Sequence, residues 1–287
     1  MLRHEETAVL SLDAVPPPQM AVRAASLGAK KANLDWVSTL VLAVLAGAFI
    51  AWGGVFFTVV MTGGTATAPF GLMKLVGGLS FSLGLILVVV AGAELFTGNN
   101  LIVMAWASGQ INSFQLWRNW GIVYLGNLLG AVGIAVLVYF AGVADGAGGA
   151  VGDTMVAIGK AKCGLPWFQA LAAGIGCNVL VCLAVWLCMS ARSVADKVLA
   201  IVFPITAFVA TGMEHCVANM YFVPAAYLVQ LDRGDADRVQ WTDFLFQNLL
   251  PVTIGNVIGG ALLVGLVYWF VYLRKELNET AKPADKA

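Results

Sequence analysis

Charge is what this 287-residue sequence has least of. Asp, Glu, Lys and Arg together make up 11% of it, against roughly 25% in an ordinary soluble domain. Hydrophobic residues make up 60%, and the mean hydropathy is +0.86. Several soluble domains in series are thereby excluded in favour of an integral membrane protein. With a net charge of zero, no excess of basic residues points to nucleic acid as a partner. Histidine occurs only as His4 and His215. The five cysteines (Cys163, Cys177, Cys182, Cys188 and Cys216) form no Cys-x-x-Cys pair and no zinc-type spacing. Three of them fall in one apolar run, where cysteine behaves as a small hydrophobe. No metal or cofactor is expected. Residues 1–35 lack the positive, apolar, cleavable order of a signal peptide. The Asn-Pro-Ala tripeptide of water and glycerol channels is missing. The nearest approach to an intramembrane Gly-x-Ser-Gly protease motif ends at Ser80, followed by Phe81. No enzyme is expected.

What is present is apolar sequence in spans of about 20 residues or more, the length a helix needs to cross a bilayer. Six segments qualify: Trp36–Met61, Phe70–Ala107, Trp120–Ala141, Trp167–Met189, Val198–Val229 and Phe244–Leu273. Trp36, Trp117, Trp120, Trp167, Trp241 and Trp269 fall near segment ends, as an interfacial belt would place them. Residues 1–35 read as a tail whose Met20, Ala24 and Leu27 recur at helical spacing. That pattern fits a short amphipathic helix at the membrane surface, with a loosely ordered tail as the alternative. Residues 36–273 read as the membrane domain and 274–287 as a second tail. Lysine and arginine concentrate on the side that carries the termini, which places both termini in the cytoplasm.

The second and fifth segments are too long and are interrupted by polar residues, AGAELFTGNN (91–100) and TGMEHCVAN (211–219). Irregular backbone at membrane depth is tolerated only where it is enclosed or lines a wet cavity. The interruptions match: Gly92-x-Glu94-x4-Asn99 has the spacing of Gly212-x-Glu214-x4-Asn219. In the third and sixth segments, Asn119-x6-Gly126-Asn127-x2-Gly130 matches Asn248-x6-Gly255-Asn256-x2-Gly259. Because the matches lie three spans apart, the halves must run in opposite directions. The predicted fold is all-α: six transmembrane helices in an inverted 3+3 repeat, with helices 2 and 5 broken. Its overall shape would be aquaporin-like.

Chemistry is expected at the breaks. His215 is an ionisable group inside a span, suited to exchanging a proton or offsetting an anion. A neutral histidine bonding a freed carbonyl is the plainer alternative. Glu94 and Glu214 are expected to accept hydrogen bonds from backbone N–H groups exposed by the breaks, with a proton relay as the alternative. Asn127 and Asn256 are expected either to tie the breaks to neighbouring helices or to line a pore. Thr97 offers a hydroxyl donor, and Asn178 an amide that bonds across helices. Lys162, with Lys160, can raise the local anion concentration at a mouth, with a solvated loop lysine as the plainer alternative. Phe81, Leu85, Phe96 and Phe208 lie near the breaks, where apolar side chains can form constrictions, with packing in the core or against lipid as the default for any one of them.

The stretches PFGLMKLVGGLSFSLGLIL, GAELFTGNNLIV, GMEHCVANMYFVP and NLLPVTIGNVIGG resemble the formate/nitrite transporter family, and its bacterial formate channels most. The resemblance runs from Met20 to Lys275. It implies a homopentamer in a bacterial inner membrane, one pore per protomer, that conducts a small monovalent anion with possible proton symport. Formate is the first candidate, nitrite or hydrosulfide the next. It also implies His215 as the central histidine, Thr97 as the loop threonine and Lys162 as the mouth lysine. Asn178 and Asn256 would be pore asparagines, and Phe81, Leu85, Phe96 and Phe208 would form the slits. Glu94, Glu214, Asn99, Asn219 and Asn127 remain structural residues at the breaks. The sequence Glu94-Leu95-Phe96-Thr97-Gly98-Asn99 departs from the Asp-Leu-Phe-Thr-Ser of formate channels and is shared with the nitrite and hydrosulfide branches.

Overall fold

Lipid offers no hydrogen bonds, so a chain this apolar must satisfy its backbone internally, and helices do so within one segment. The computed structural model describes residues 13–64 and 68–274, and among these every regular element is helical. Helix α1 (Pro17–Ala32) precedes α2 (Trp36–Met61) and α3 (Phe70–Ala91). A 3-10 turn (Gly98–Ile102) and the short α4 (Val103–Ala107) follow the first break. Then come α5 (Ser113–Phe140), α6 (Ala150–Cys163), α7 (Trp167–Ser190), α8 (Val194–Ala210) and α9 (Cys216–Asp232). The last is α10 (Trp241–Tyr272), interrupted by π-helical stretches at Phe244–Leu249 and Ile258–Leu266.

Five of these helices, α2, α3, α5, α7 and α10, are long and apolar enough to cross a membrane. The expected fifth span resolves instead into α8 and α9, each 17 residues, on either side of its break. Local capping moves two boundaries outward from the apolar runs. Asn112 and Gln115 form a reciprocal capping box that starts α5 at Ser113 rather than Trp120. Ser193 and Asp196 do the same for α8, which starts at Val194 rather than Val198. Trp120 is therefore not a belt residue. It is buried, and its indole donates to the Asn99 carbonyl at 2.9 Å.

Close backbone approach holds the long helices together, as small residues at helix crossings allow. A Cβ at Gly130 would collide with the Val44 carbonyl of α2. On the other side of the molecule a Cβ at Gly255 would collide with the Leu171 carbonyl of α7. Helix α1 does not merely rest at a surface. It packs on α4, the 3-10 turn and α7, with Met20 and Ala24 buried. Arg118 of α5 fastens its C-terminal end, donating to the Ala32 and Leu34 carbonyls at 2.9 and 2.6 Å. The expected tail 274–287 falls outside the described residues beyond Arg274, as does His4.

Candidate functional site

Both breaks begin at a glycine with left-handed backbone, Gly92 (φ 84°) after α3 and Gly212 (φ 73°) after α8. Other residues rarely adopt that conformation. Each break frees backbone groups that, buried, cost about 1–3 kcal/mol apiece if left unpaired. One asparagine serves each break. Asn127 accepts from the Phe96 N–H (2.8 Å) and donates to the Ala43 (2.7 Å) and Glu94 (2.9 Å) carbonyls. Asn256 accepts from the Cys216 N–H (3.0 Å) and donates to the Gly174 (2.7 Å) and Glu214 (3.0 Å) carbonyls. The Glu94 and Glu214 N–H groups donate to Leu42 and Ala173 at 3.2 and 3.3 Å. Both asparagines thus act as ties between break and helix, and neither lines the cavities described below.

The glutamate carboxylates do something other than the sequence predicts. Instead of taking the break's backbone N–H groups, each is held by a lysine and an asparagine. Lys31 lies 3.0 Å from Glu94, and Asn99 donates to the same carboxylate at 2.6 Å. Lys162 lies 3.0 Å from Glu214, and Asn219 donates to it at 2.7 Å. Asn99 and Asn219 also donate to Asn119 (3.0 Å) and Asn248 (2.7 Å). Those two in turn donate to the Lys31 and Lys162 carbonyls at 3.4 and 2.9 Å. The same circuit is built twice. A buried carboxylate this well paired has no orphan charge.

Lys31, to which the sequence alone assigned no role, is the counterpart of Lys162 in this arrangement. Its signal lies in plain sight: Lys31-x2-Leu34-x-Trp36 repeats as Lys162-x2-Leu165-x-Trp167. Lys162 is not a solvated loop lysine. Its side chain is 15% exposed and its ammonium stands 5.3 Å over the Phe222 ring. Lys160, expected beside it, turns outward to Asp237 (2.6 Å) and holds that carboxyl below its ordinary value through the hydrogen bond.

Between the circuits sits His215, the N-cap of α9. Its Nδ1 accepts from the Ala218 N–H at 3.1 Å, so the neutral ring carries its proton on Nε2. Nε2 lies 2.9 Å from Thr97 Oγ1, and the bond is fully buried. With Nε2–H donating, the Thr97 hydroxyl keeps its own proton to offer elsewhere. The partner of His215 is thus a backbone N–H and a side chain from the other break, not the freed carbonyl of the plainer alternative. Asn178 secures Thr97 from behind, donating to its carbonyl (3.3 Å), to Asn100 Oδ1 (3.2 Å) and to the Asn256 carbonyl (2.6 Å). Cys182 donates to the same Thr97 carbonyl.

Two cavities lie near this pair, one reaching His215 itself and the other Gly98, next to Thr97. One, of about 510 Å³, is bordered by Lys31, Glu94, Gly98 and Leu85. The other, of about 230 Å³, is bordered by Lys162, Glu214, His215, Phe81 and Phe208. Phe81 and Leu85 are one turn apart on α3, about 6 Å along the axis, yet face different cavities. The Phe208 ring stacks at 6.0 Å from His215 and meets Phe81 edge-on at 5.7 Å. Phe96 is not part of either wall. Its ring packs on Trp120 and Tyr124 at 6.2 and 4.9 Å, on the core side of the break. Among the described residues no three His, Cys, Asp or Glu side chains group as metal ligands.

Spanning helices, two broken segments tied by matching asparagines, and two largely apolar cavities, each with a lysine–glutamate pair on its border, define a membrane transport protein. The chain belongs to the formate/nitrite transporter family, whose sequence profile matches residues 18–270. It is 44% identical over 278 residues to the formate channel FocA of Escherichia coli K12, covering 92% of this chain and 96% of that one. To the FocA of Haemophilus influenzae it is 40% identical, covering 91% and 96%. A solved pentameric formate channel with formate bound superposes with a TM-score of 0.76 at 43% identity, over 83% of this chain and 98% of the other.

Proposed function

We propose that this protein is a channel for small monovalent anions, formate first, in a bacterial inner membrane. The observation that carries the reading is the pair of cavities separated by one turn of α3 and by the Thr97–His215 bond. The names of its relatives favour formate. The Glu94–Asn99 motif keeps nitrite and hydrosulfide as the next candidates.

In this reading Lys162 and Lys31 each draw the anion into one cavity, where a paired carboxylate offsets that lysine's own charge. The apolar walls at Phe81, Phe208 and Leu85 strip its water, which is costly for a bare charge. The Thr97 hydroxyl then donates to the anion while His215 Nε2–H polarises that hydroxyl. A formate that takes up a proton here crosses as formic acid. For His215 to supply that proton the ring must first take up a second one at Nδ1 from the pathway, displacing the Ala218 N–H, because the neutral ring would otherwise be left as an imidazolate. Asn178 and Asn256 act behind Thr97 and Cys216 as positioning residues.

The matched circuits favour an inverted 3+3 repeat of six spans with broken second and fifth spans, α8 and α9 sharing the fifth. The lysine and arginine distribution favours cytoplasmic termini, so the Lys31 cavity opens inward. The pentameric relative supports a homopentamer, and the cavities within this one chain favour one pore per protomer.

The test is flux into proteoliposomes of labelled formate against nitrite, hydrosulfide, water and glycerol, from pH 5 to 8. Saturable formate flux that exceeds the others supports the assignment. Equal or greater osmotic permeability to glycerol would overturn it.

A further inference from the structure

The two cavities are unequal in size and in charge. The Lys162 side has two cations, Lys74 and Lys162, against Glu214. Among the described residues lining the Lys31 side there are four, Arg23, Lys31, Arg192 and Lys197, against Glu94 as the one carboxylate. Glu94 is already paired with Lys31. The Asp196 carboxylate near Arg192 is engaged by the backbone N–H groups of Arg192 and Ser193 at 3.0 and 2.9 Å. A volume of about 510 Å³ lies within the range of about 300–1,000 Å³ that holds organic ligands. It is generous for a triatomic anion.

The four cations are arranged in depth. Arg23 and Arg192 are exposed, Lys197 and Lys31 half-buried, and Glu94 and Leu85 lie buried at the floor. Arg23 donates to the Met189 carbonyl from one terminal nitrogen, and Arg192 donates to the Asp13 carbonyl from Nε. Each guanidinium is therefore oriented by one bond and retains further donors. A planar fork of N–H groups matches the oxygens of a phosphoryl group two at a time. Attraction to the surplus of positive charge grows with the charge of the ligand, so a dianion gains more than formate does.

We propose that the Lys31-side cavity is a binding site for phosphoryl dianions, held by Arg23 and Arg192 with Lys197 and Lys31, and that its occupant plugs the pathway from that side only. Anions carrying one charge pass through. A phosphoryl group is too large and too strongly charged to cross the apolar turn at Leu85. Flux then falls when phosphorylated solutes, or an anionic lipid headgroup reaching into the mouth, occupy the site.

Two measurements on the full-length protein test this, and only the second depends on the channel assignment. In the first, pyrophosphate is titrated calorimetrically into protein in neutral detergent. Binding is expected, weakening as salt rises. It should fall at least tenfold in Arg23→Gln/Arg192→Gln and less in Arg23→Lys/Arg192→Lys. No binding, or equal binding by the glutamine variant with a native chromatographic profile, overturns the site.

In the second, formate flux is followed in phosphatidylcholine vesicles with randomly inserted protein, each variant compared with its own unblocked flux. Pyrophosphate on one face of the vesicle should remove about half of the flux, and on both faces nearly all. Complete block from one face, or none despite binding, overturns the one-sided plug. Block on adding phosphatidic acid to the vesicles, without pyrophosphate, assigns a lipid source to the same phosphoryl site. Pyrophosphate binding in a protein that passes no anion would leave the site standing and overturn the channel assignment.

Discussion

Thr97 Oγ1 and His215 Nε2 meet at 2.9 Å across 118 positions of sequence, each at the centre of its own broken helix. His215 borders the Lys162-side cavity, and Gly98, next to Thr97, borders the Lys31-side one. Because Nδ1 is spent on capping α9, the ring is fixed in one tautomer, and its orientation does not depend on a bound ion.

That arrangement separates two roles of His215. Asparagine is among the best N-caps, so His215→Asn is expected to keep the Ala218 bond and lose the one to Thr97. Thermal stability in detergent should change little, while formate flux falls on the order of tenfold, equivalent to about 1.4 kcal/mol in barrier height. His215→Ala should also destabilise by about 1 kcal/mol through loss of the cap. A His215→Asn protein with wild-type flux at every pH would remove the histidine from the mechanism.

The lysine–glutamate pairs are equivalent in geometry and unequal in burial. Removing one partner of a buried pair costs about 3–5 kcal/mol, because the remaining charge is stranded. Lys162 is 15% exposed and Lys31 is 35% exposed. Glu214→Ala is therefore expected to lower the unfolding midpoint more than Glu94→Ala, whose lysine can turn to water. Thermal unfolding of the two variants side by side decides it.

Asn127 and Asn256 each satisfy one N–H and two carbonyls. Alanine at either position strands groups worth about 1–3 kcal/mol each, and a sharp loss of folded protein on size-exclusion chromatography is expected. Aspartate should not rescue either site. It keeps the acceptor but turns the donor into a second oxygen facing two carbonyls.

The phenylalanines divide by location. Phe96→Ala opens a void in the packing against Trp120 and Tyr124, with a stability loss of about 3–5 kcal/mol. Phe208→Ala instead widens the wall of a cavity. It is expected to raise acetate flux relative to formate while leaving the unfolding midpoint closer to wild type. Selectivity measured on both variants separates packing from constriction.

The breaks and their asparagine ties could be read from the chain because their chemistry is local. A left-handed turn favours glycine, buried backbone needs an amide, and an apolar background makes any Glu or Asn conspicuous. Spacing then paired Glu94 with Glu214 and Asn127 with Asn256 before any contact was known. Even the overlooked Lys31 repeats its surroundings in Lys162.

Which way each side chain points was a different matter. Beyond Gly92 and Gly212 the chain is no longer periodic, so position along it carries no direction. Phe96 turns to the core and Phe208 to a cavity. Trp120 is buried although it sits where a belt residue would. The glutamates take ammonium and amide groups because Asn127 and Asn256 reach the backbone first. Lys31 finds Glu94 only because α1 is packed against the break. Apolar length and composition determined that this chain lives in a membrane, and repeated polar residues determined where it breaks. The packing of distant helices decided which of those residues face the path, since direction at a broken helix is set by what it rests on.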